Sequence, residues 1–381
     1  MGNPSQTSIT LDLTKKSFLH QSLLAWYAQH KRPLPWRRGR DPYQIWLSEI
    51  ILQQTRVVQG LPYYERFIKA YPTVDDLAAA SLQEVLHHWQ GLGYYTRARN
   101  LHKCSRQVVK AHNSIFPTTY KALLQLPGIG TYTAAAIASI AFDECVAVVD
   151  GNVYRVLARL FGREDDISSS QGKKAFHYLA TTLLPERDIG TYNQAMMEFG
   201  ALHCMPKQPK CTTCPLQKIC VAYQQNAQQL LPVKKRRIKV KDRYMHYVII
   251  YHGNRVYLRE RKAKDIWQGL YEFYLIESKT PTKDFFHLVD PLMPYIKAHA
   301  LPVEYDLLSI KHQLTHQNLF ITFSQIDATD DFLAESRVLF AKENMRPYHV
   351  SDIEALPFPR AIYRFLTQDT YLAKHKAKLC L

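Results

Sequence analysis

The feature of this sequence that most constrains its fold is a change of hydrophobic periodicity near residue 226. From 13 to 225, apolar residues recur at helical spacing in short segments, and proline or glycine separates nearly every pair of segments. Beyond 244 the pattern becomes strand-like, and a Gly253-Asn254 pair between 247–251 and 256–258 predicts a β-hairpin. The sequence therefore predicts a mainly α N-terminal domain followed by an α+β C-terminal domain.

Polar segments set the expected domain boundaries. Residues 226–243 include the run Lys234-Lys235-Arg236-Arg237, which has no apolar periodicity and predicts a linker. We expect a flexible N-terminus at 1–12, a first domain at 13–225, a second at 244–368 and a basic tail at 369–381. Further strands are predicted at 271–276, 303–311 and 318–326. Helices are predicted from Ser17 to Tyr27 and at 42–58, 62–70, 75–80, 81–89, 97–111, 119–125, 132–142, 152–161, 171–183, 191–202, 283–289 and 359–367.

The net charge of +16 and the pI of about 9.4 favour a polyanionic partner. Residues 1–225 carry 25 Lys and Arg against 16 Asp and Glu, 226–243 carry seven against one, and 244–381 carry 17 against 16. A basic surface also suits RNA or a membrane surface, so charge alone does not choose between them. The polar start, Met1–Thr10, lacks a secretory signal, and no apolar run could span a bilayer, so we expect a cytoplasmic protein.

Four of the seven cysteines fall within 17 residues, with six, two and five residues between Cys204, Cys211, Cys214 and Cys220. An odd total with one tight cluster indicates a metal site rather than a disulfide framework. Thiolates bind both zinc and iron–sulfur centres. A structural zinc site usually supplies two close pairs of ligands. The uneven spacing of these cysteines fits a cubane iron–sulfur cluster better than a zinc site. Four protein ligands leave no open position for substrate, so we expect a structural role.

Residues 126–133 read Leu-Pro-Gly-Ile-Gly-Thr-Tyr-Thr and open an alanine-rich helix. Gly128 and Gly130 permit positive φ and close approach of the backbone to a ligand. Exposed N–H groups at a helix start bind phosphate without regard to nucleotide sequence. A plain turn between two packed helices explains this string alone equally well.

Two acids stand in informative positions. Glu49 shares a helix face with Ile45 and Leu52, and desolvation there keeps a carboxyl protonated to higher pH. A surface helix with an exposed glutamate is the alternative, but these neighbours are too apolar for one. Asp150 follows an apolar run and precedes a helix, so without context an N-cap is its favoured interpretation, a role that Asn152 could also fill. A carboxylic acid that stays protonated to higher pH, together with a second, ionised carboxylate, is the pair of groups that breaks a glycosidic bond.

These motifs occur along the chain in the same order as in the adenine DNA glycosylases of the MutY type. The chain therefore resembles that family, which lies within the helix–hairpin–helix superfamily that includes endonuclease III. The resemblance runs from Leu34-Pro35-Trp36-Arg37 to Cys220 and continues more weakly into the last domain. Its strings also include Trp46–Thr55, Gly-Leu-Gly-Tyr-Tyr at 91–95, the glycine turn and Asp-Gly-Asn at 150–152. It implies a helix–hairpin–helix fold with one 4Fe–4S cluster on the four cysteines. The implied partner is duplex DNA with adenine opposite 8-oxoguanine or guanine, and we expect a monomer.

The resemblance also implies the roles of individual residues in a base-flipping mechanism. Glu49 protonates the adenine and later helps to activate water, while Asp150 stabilises or transiently captures the cationic sugar. Tyr132 and Asn152 support this site, and Gly128 and Gly130 bind DNA phosphate through the backbone. Residues that line the adenine pocket are Trp36, Arg37 and Gln194, and those that wedge into the duplex and contact the damaged guanine are Gln54, Thr55, Leu92 and Tyr94.

One position bears on the type of reaction. Lyase relatives carry a lysine at the second residue after Gly130, where it forms a Schiff base and cleaves the strand. The residue here is Tyr132, which cannot form a Schiff base, and Tyr154 is likewise not the lysine that some relatives have. We therefore expect a hydrolase with little or no lyase activity.

The last domain resembles the MutT-like (Nudix-fold) module with which this family recognises 8-oxoguanine, and Trp267–Phe273 matches one of its strands. We find no glutamate-rich helix with an arginine, which nucleotide-hydrolysing relatives need for magnesium, so the module should bind without cleaving. The aromatic–serine–histidine loop of the family corresponds to Leu314-Thr315-His316. Thr315 keeps a hydroxyl for the oxidised base, whereas Leu314 lacks the aromatic ring.

Three other functions are each compatible with part of the sequence. A bifunctional glycosylase–lyase for oxidised pyrimidines shares the fold and cluster, but Tyr132 and the extra C-terminal domain argue against it. A non-catalytic DNA-damage binding protein would need neither a buried Glu49 nor Asp150. A nucleotide pyrophosphatase would need the glutamate-rich helix that we do not find.

Overall fold

The computed structural model describes residues 13–235, 240–282, 285–288 and 290–367. These residues form two compact units. Unit 1 comprises 13–57, 71–75 and 103–235, and unit 2 comprises 58–70, 76–102 and 240–367. The predicted N-terminus 1–12, the basic tail 369–381 and residues 236–239 of the predicted linker lie outside the described residues. The functional domain boundaries stay a prediction.

The first two-thirds of the described chain is helical, as the sequence predicts. None of the described helices is both long and apolar enough to cross a membrane. The helices before residue 225 are α1 (Leu13–His30), α2 (Pro42–Leu52), α3 (Val57–Ala70), α4 (Val74–Ala79), α5 (Leu82–His88), α6 (Thr96–His112), α7 (Tyr120–Leu123), α8 (Thr131–Phe142), α9 (Gly151–Phe161), α10 (Ser170–Thr182), α11 (Ile189–Leu202) and α12 (Val221–Gln224).

The core of unit 1 gathers α1, α9, α10 and α11 around side chains that include Leu23, Leu157, Phe176 and Phe199. Helix α8 packs against α2 and α11 and is buried along nearly its whole length, from Thr133 to Ile140. Its run of alanines permits this close approach, since alanine adds little bulk to a helix surface. These helices fix the starts of α8 and α9, where the candidate site residues stand.

The single helix predicted at 42–58 is wrong, because the chain breaks after Leu52. Gln54 adopts a left-handed φ of 55°, the Thr55 N–H donates to the Leu52 carbonyl, and α3 begins at Val57. The predicted helix 62–70 is the second part of α3. Neither glycine nor proline marks the break, so the residues give no local signal for it.

Residues at both ends of the predicted linker 226–243 take part in the two units. Leu231 is 6% exposed and belongs to the core of unit 1, and the Ile167 N–H donates to the Val233 carbonyl. The first strand of unit 2 begins at Lys241. The burial of one leucine within a polar stretch holds 226–235 against unit 1, although the charge run predicts a free segment.

Unit 2 is built on a seven-stranded sheet with the order β3-β2-β1-β6-β5, in which β4 also pairs with β1 and β7 with β2. Strands β1 and β6 are parallel, and every other pair is antiparallel. The remaining elements are β1 (Lys241–His252), β2 (Arg255–Glu260), β3 (Tyr271–Glu272), β4 (Tyr274–Ser278), α13 (Met293–Ala298), β5 (Val303–Gln313), β6 (Gln317–Asp327), α14 (Asp330–Lys342), β7 (Arg346–His349) and α15 (Arg360–Thr367).

The predicted β-hairpin is confirmed by the pairing of Tyr251 with Val256. The strand predicted at 271–276 is split at Phe273, and near 283–289 the described residues form a short 3-10 turn, Phe285–His287, instead of an α-helix. Helices α13 and α14 and strand β7 have no counterpart in the sequence prediction.

Both faces of the central strand β1 are covered, so Met245 to Tyr251 is buried without alternation. On one face lie α13 and α14, with Ile296 and Phe332 in the core. On the other face Phe323 of β6 stacks on Phe365 of α15, with ring centroids 4.3 Å apart. Helix α15 is therefore held firmly against the sheet.

Candidate active site

Glu49 lies on α2 and is buried, as its helical spacing predicts. Burial raises the pKa of its carboxyl to about 7, because the charged form loses its hydration. The hydrogen bond from Tyr132 lowers this pKa, the charge of Asp150 raises it, and the charge of Arg37 lowers it. A carboxyl with this pKa can deliver a proton near neutral pH.

Tyr132 stands in the first turn of α8, and its hydroxyl donates to Glu49 Oε2 at 2.6 Å. The same hydroxyl lies 3.6 Å from the sulfur of Met197. Burial, reinforced by the nearby carboxyls of Glu49 and Asp150, raises the pKa of this phenol well above its ordinary value. Tyr132 therefore remains a hydrogen-bond donor and orients the Glu49 carboxyl.

Asp150 is the N-cap of α9. Its Oδ1 accepts from the backbone N–H groups of Asn152 at 2.9 Å and Val153 at 2.8 Å, and its Oδ2 accepts from Asn152 Nδ2 at 2.7 Å. The Asn152 oxygen in turn accepts from Arg155 at 2.9 Å. Burial raises the pKa of Asp150, and these hydrogen bonds oppose the rise. The N-cap interpretation is thus confirmed, and the charge of this carboxyl also acts on Glu49 and Tyr132.

Arg37 and Gln194, two residues expected in a base pocket, line a cavity of about 370 Å³ in unit 1 together with Tyr27. The Tyr27 hydroxyl donates to Gln194 Oε1 at 2.8 Å, which fixes one end of that amide. The third expected residue, Trp36, is buried beside Arg37 in a 3-10 turn.

Glu198 of α11 is a residue of this site that the sequence analysis missed. Its carboxylate is 1% exposed and accepts from Arg37 at 2.9 and 2.8 Å and from Arg32 at 2.8 and 2.6 Å. Burial would raise its pKa, but the two guanidinium groups hold the pKa at about 2. The signal that finds Glu49 would have found Glu198 as well, since it lies at helical spacing from the apolar residues Ala195 and Leu202.

Only one glycine of the predicted phosphate-binding turn needs its conformational freedom. Gly128 has a φ of 76°, which favours glycine. Gly130 is the N-cap of α8 with an ordinary φ of −93°, and a Cβ there would meet nothing within 4 Å. Gly130 therefore does not use the positive φ that glycine permits, but the open space beside it allows a ligand to approach the first N–H groups of α8.

The four residues expected to wedge into DNA differ in their exposure to solvent and in the unit to which they belong. Gln54 is exposed and Thr55 half-buried, both in unit 1 at the break between α2 and α3. Tyr94 is 47% exposed in unit 2, with a left-handed φ of 49°. Leu92 is only 5% exposed, so its side chain is a core residue in this structure.

Thr315 lies in the tight turn between β5 and β6, where the Leu314 N–H donates to the Gln317 carbonyl at 2.8 Å. Its hydroxyl is hydrogen-bonded to the hydroxyl of Tyr94. Both residues line a cavity of about 460 Å³ within unit 2, here called the loop cavity, whose other lining residues include Trp267, His312 and Leu314. Two residues expected to contact the damaged base thus meet at one place.

The four clustered cysteines follow α11. Cys211 begins the 3-10 turn Cys211–Thr213, Cys214 follows it, and Cys220 follows the 3-10 turn Gln217–Ile219. Burial raises the pKa of Cys214 to about 12, and the charges of the other three thiols raise it too. Arg159 lies 3.4 Å from the sulfur of Cys204. In the part of the chain that the structure describes, no group of three or more His, Cys, Asp or Glu side chains is arranged to hold a metal ion.

Comparison with family models matches residues 47–180 to the HhH-GPD superfamily of base excision DNA repair proteins and residues 245–368 to the NUDIX domain. The first match contains Glu49, Tyr132 and Asp150, and the second contains the loop cavity's Thr315. These matches agree with the helical and sheet-containing parts of the fold predicted from the sequence.

The chain is also similar to curated proteins and to a solved structure. It is 30% identical over 356 residues to the adenine DNA glycosylase of Buchnera aphidicola subsp. Acyrthosiphon pisum, which covers 92% of this chain and 97% of that protein. It is 45% identical over 226 residues to the adenine DNA glycosylase of Rattus norvegicus, covering 57% of this chain and 44% of that protein. A thermostable thymine-DNA glycosylase matches with a TM-score of 0.51 and 32% identity, over 56% of this chain and 98% of that chain.

Proposed function

Since the chain belongs to the family of adenine DNA glycosylases, we propose that it hydrolyses the N-glycosidic bond of adenine mispaired with 8-oxoguanine, or with guanine, in duplex DNA. The observation that carries this proposal is the buried Glu49 carboxyl, which accepts a hydrogen bond from Tyr132 and interacts electrostatically with Asp150. One acid that stays protonated near neutral pH beside a second carboxyl, fixed by a helix start, is suited to this reaction.

In the proposed mechanism the adenine leaves the duplex stack, because its glycosidic bond is inaccessible within the helix. Glu49 then protonates the base, which becomes a better leaving group. Asp150 stabilises the positive charge that develops on the sugar, and Glu49, now ionised, helps to activate water. Tyr132 cannot form a Schiff base, and its hydroxyl is engaged by Glu49, so the enzyme acts as a hydrolase without lyase chemistry.

We further propose that the cavity of Arg37 and Gln194 receives the flipped adenine. Glu198 holds Arg37 through two hydrogen bonds, so this guanidinium is positioned before substrate arrives. Tyr27 holds Gln194 in the same way. A preorganised pocket of this kind spends less binding energy on ordering its own side chains.

The C-terminal domain is proposed to read the base opposite the adenine. The loop cavity supports this role, because Thr315 and Tyr94 offer hydroxyl groups that can exchange their mutual hydrogen bond for one to an oxidised base. Trp267 also lines the cavity, so an aromatic residue is present although Leu314 lacks a ring.

This proposal predicts a specific pattern of excision from end-labelled duplexes that carry adenine opposite 8-oxoguanine, guanine, cytosine or thymine. Adenine should be removed opposite 8-oxoguanine and, more slowly, opposite guanine, and strand breaks should appear only after alkali. Strand cleavage without alkali would contradict the assignment as a hydrolase, and equal rates on all four duplexes would contradict adenine-mispair specificity.

In the T315A variant, the ratio of the excision rate opposite 8-oxoguanine to the excision rate opposite guanine should fall by about fivefold, since one hydrogen bond contributes about 1 kcal/mol.

We also propose that Cys204, Cys211, Cys214 and Cys220 bind one 4Fe–4S cluster. The chemistry of the donor set supports this proposal, because four partly buried cysteines lie within 17 residues and a cationic centre would favour their thiolate forms, the usual ligands of such clusters. A bound cluster would supply a structural cross-link for the loop after α11, and the chemistry at Glu49 does not involve it.

The purified protein is accordingly expected to be brown, with broad visible absorption and about four irons per chain. Iron and zinc are measured together by elemental analysis. Replacing Cys211 with serine should lower iron content, stability or DNA affinity more than the rate of the chemical step, whereas the same change at the exposed Cys145 serves as a control. A colourless protein with stoichiometric zinc would contradict the cluster assignment.

A further inference from the structure

A second cavity of unit 2, larger than the loop cavity, has no role in the function proposed above. It has a volume of about 820 Å³, within the range of pockets that hold small ligands. Gln59, Gly91 and Arg360 line both this cavity and the loop cavity. The two cavities are therefore neighbours, and Arg360 stands at the boundary between them.

The lining of the larger cavity combines cations with aromatic rings. Arg66 lies over the ring of Tyr63, 4.8 Å from its centroid, and Tyr363 is 45% exposed on α15. Arg66 and Arg360 are the permanent cations of the lining, and Glu354 is its carboxylate, so the lining carries a net positive charge. Guanidinium groups beside aromatic rings suit the binding of a nucleic-acid strand, since the guanidinium groups pair with phosphates and the bases stack on the rings.

Arg360 is exposed, and within the described residues its guanidinium has no hydrogen-bond or ion-pair partner. Arg364 follows at the spacing of one helical turn and is exposed too. Like charges at this spacing destabilise a helix by a few tenths of a kcal/mol. An anion bound between them would remove that cost.

The backbone that carries Arg360 is rigidly held. The Phe358 N–H donates to Gln90 Oε1 at 3.3 Å, and the Phe358 carbonyl accepts from the Tyr95 hydroxyl at 3.3 Å. The stacking of Phe365 on Phe323 fixes the next turns of α15. The backbone of Arg360 is therefore fixed beside the loop cavity, and its guanidinium is available to a ligand.

We propose that Arg360 binds a phosphate of the strand that carries the damaged guanine, and that this strand continues through the larger cavity past Arg66. The inference rests on the proposed function, because it takes the loop cavity as the place where that guanine is read. Residues 244–381 are almost neutral in total, with 17 basic against 16 acidic side chains, but the arrangement around Arg360 concentrates positive charge locally.

The test measures the affinity of the full-length protein, with E49Q to keep the substrate intact, for a fluorescent duplex over a series of KCl concentrations. Each phosphate contact contributes about 0.9 to the slope of log affinity against log salt. R360A should therefore reduce the slope by about 0.9 and weaken binding roughly tenfold, and R66A/R360A should reduce the slope by about 1.8. R360K should retain the slope, because lysine keeps the charge.

R337A is the matched control, since Arg337 is exposed on α14 and lines neither cavity. Neutral methylphosphonates placed one at a time in each strand locate the contact. At one position of the damaged strand, the methylphosphonate should weaken DNA binding by the parent protein as much as R360A does. The same methylphosphonate should not weaken DNA binding by the R360A variant any further. An unchanged slope for R360A, or a sensitive position only in the adenine strand, overturns the inference while the proposed function stands. Failure of the parent to bind duplex DNA overturns both.

Discussion

A glutamine at position 49 is expected to leave binding of the mispair intact and to slow adenine excision by about a hundredfold to ten-thousandfold, the usual contribution of general acid catalysis. The amide has the size of the carboxyl, and its oxygen can still accept the hydrogen bond from Tyr132. It has no proton to give to the departing base. The loss should therefore appear in the chemical step and not in folding or affinity.

Single-turnover excision and equilibrium binding, measured on the same duplex, separate these effects. Glu65→Gln is the control, because Glu65 is exposed on α3 and lies outside the site. An E49Q rate within a few-fold of the parent would show that Glu49 is not the acid.

The pH dependence gives a second check on the same group. Because the pKa of Glu49 is raised to about 7, its protonated form is present below that pH and is lost as the pH rises through it. The kcat/KM of the parent should therefore fall above about pH 7. In Y132F this falling limb should move to higher pH, since the hydrogen bond that lowers the pKa of Glu49 is gone.

Local patterns in the sequence were sufficient for most of the elements. Helical spacing placed Glu49 among apolar side chains, and the apolar run followed by a polar trio placed Asp150 at a helix start, because both properties depend on residues a few positions away. The Gly253-Asn254 turn fixed the hairpin for the same reason. The elements without a counterpart in the prediction, such as α13, are short or carry a weak apolar pattern.

Features that depend on distant residues were beyond this kind of prediction. Arg37 is hydrogen-bonded to Glu198, which is 161 residues away in the sequence. The residues near Arg37 in the sequence do not indicate which side chain it binds. The break at Gln54 carries no glycine, and Leu231 is buried although its neighbours are polar. The position of Arg360 between two cavities depends on α15 packing on the sheet, which total charge cannot reveal.

An asparagine at position 150 is expected to separate the two roles of Asp150. Asparagine caps a helix as well as aspartate does, so its oxygen can keep the hydrogen bonds from the N–H groups of Asn152 and Val153. Its amide nitrogen would face Asn152 Nδ2, which costs one side-chain hydrogen bond, about 1 kcal/mol of stability. The negative charge opposite the developing sugar cation is lost, and removing such electrostatic stabilisation slows a reaction by about a hundredfold to a thousandfold.

D150S provides the matched comparison, since serine also caps helices but places no amide against Asn152. Both variants should unfold within a few degrees of the parent and both should be severely slowed. Their residual activity should also decline at lower pH than that of the parent, because the charge of Asp150 raises the pKa of Glu49. Thermal unfolding and single-turnover excision across pH measure these effects. A variant that turns over at the rate of the parent but unfolds at lower temperature would reduce Asp150 to a helix cap. Loss of turnover with the fold intact would instead show that one carboxylate both caps α9 and stabilises the cation, since its Oδ1 accepts the N-cap hydrogen bonds while the charge of the group acts on Glu49.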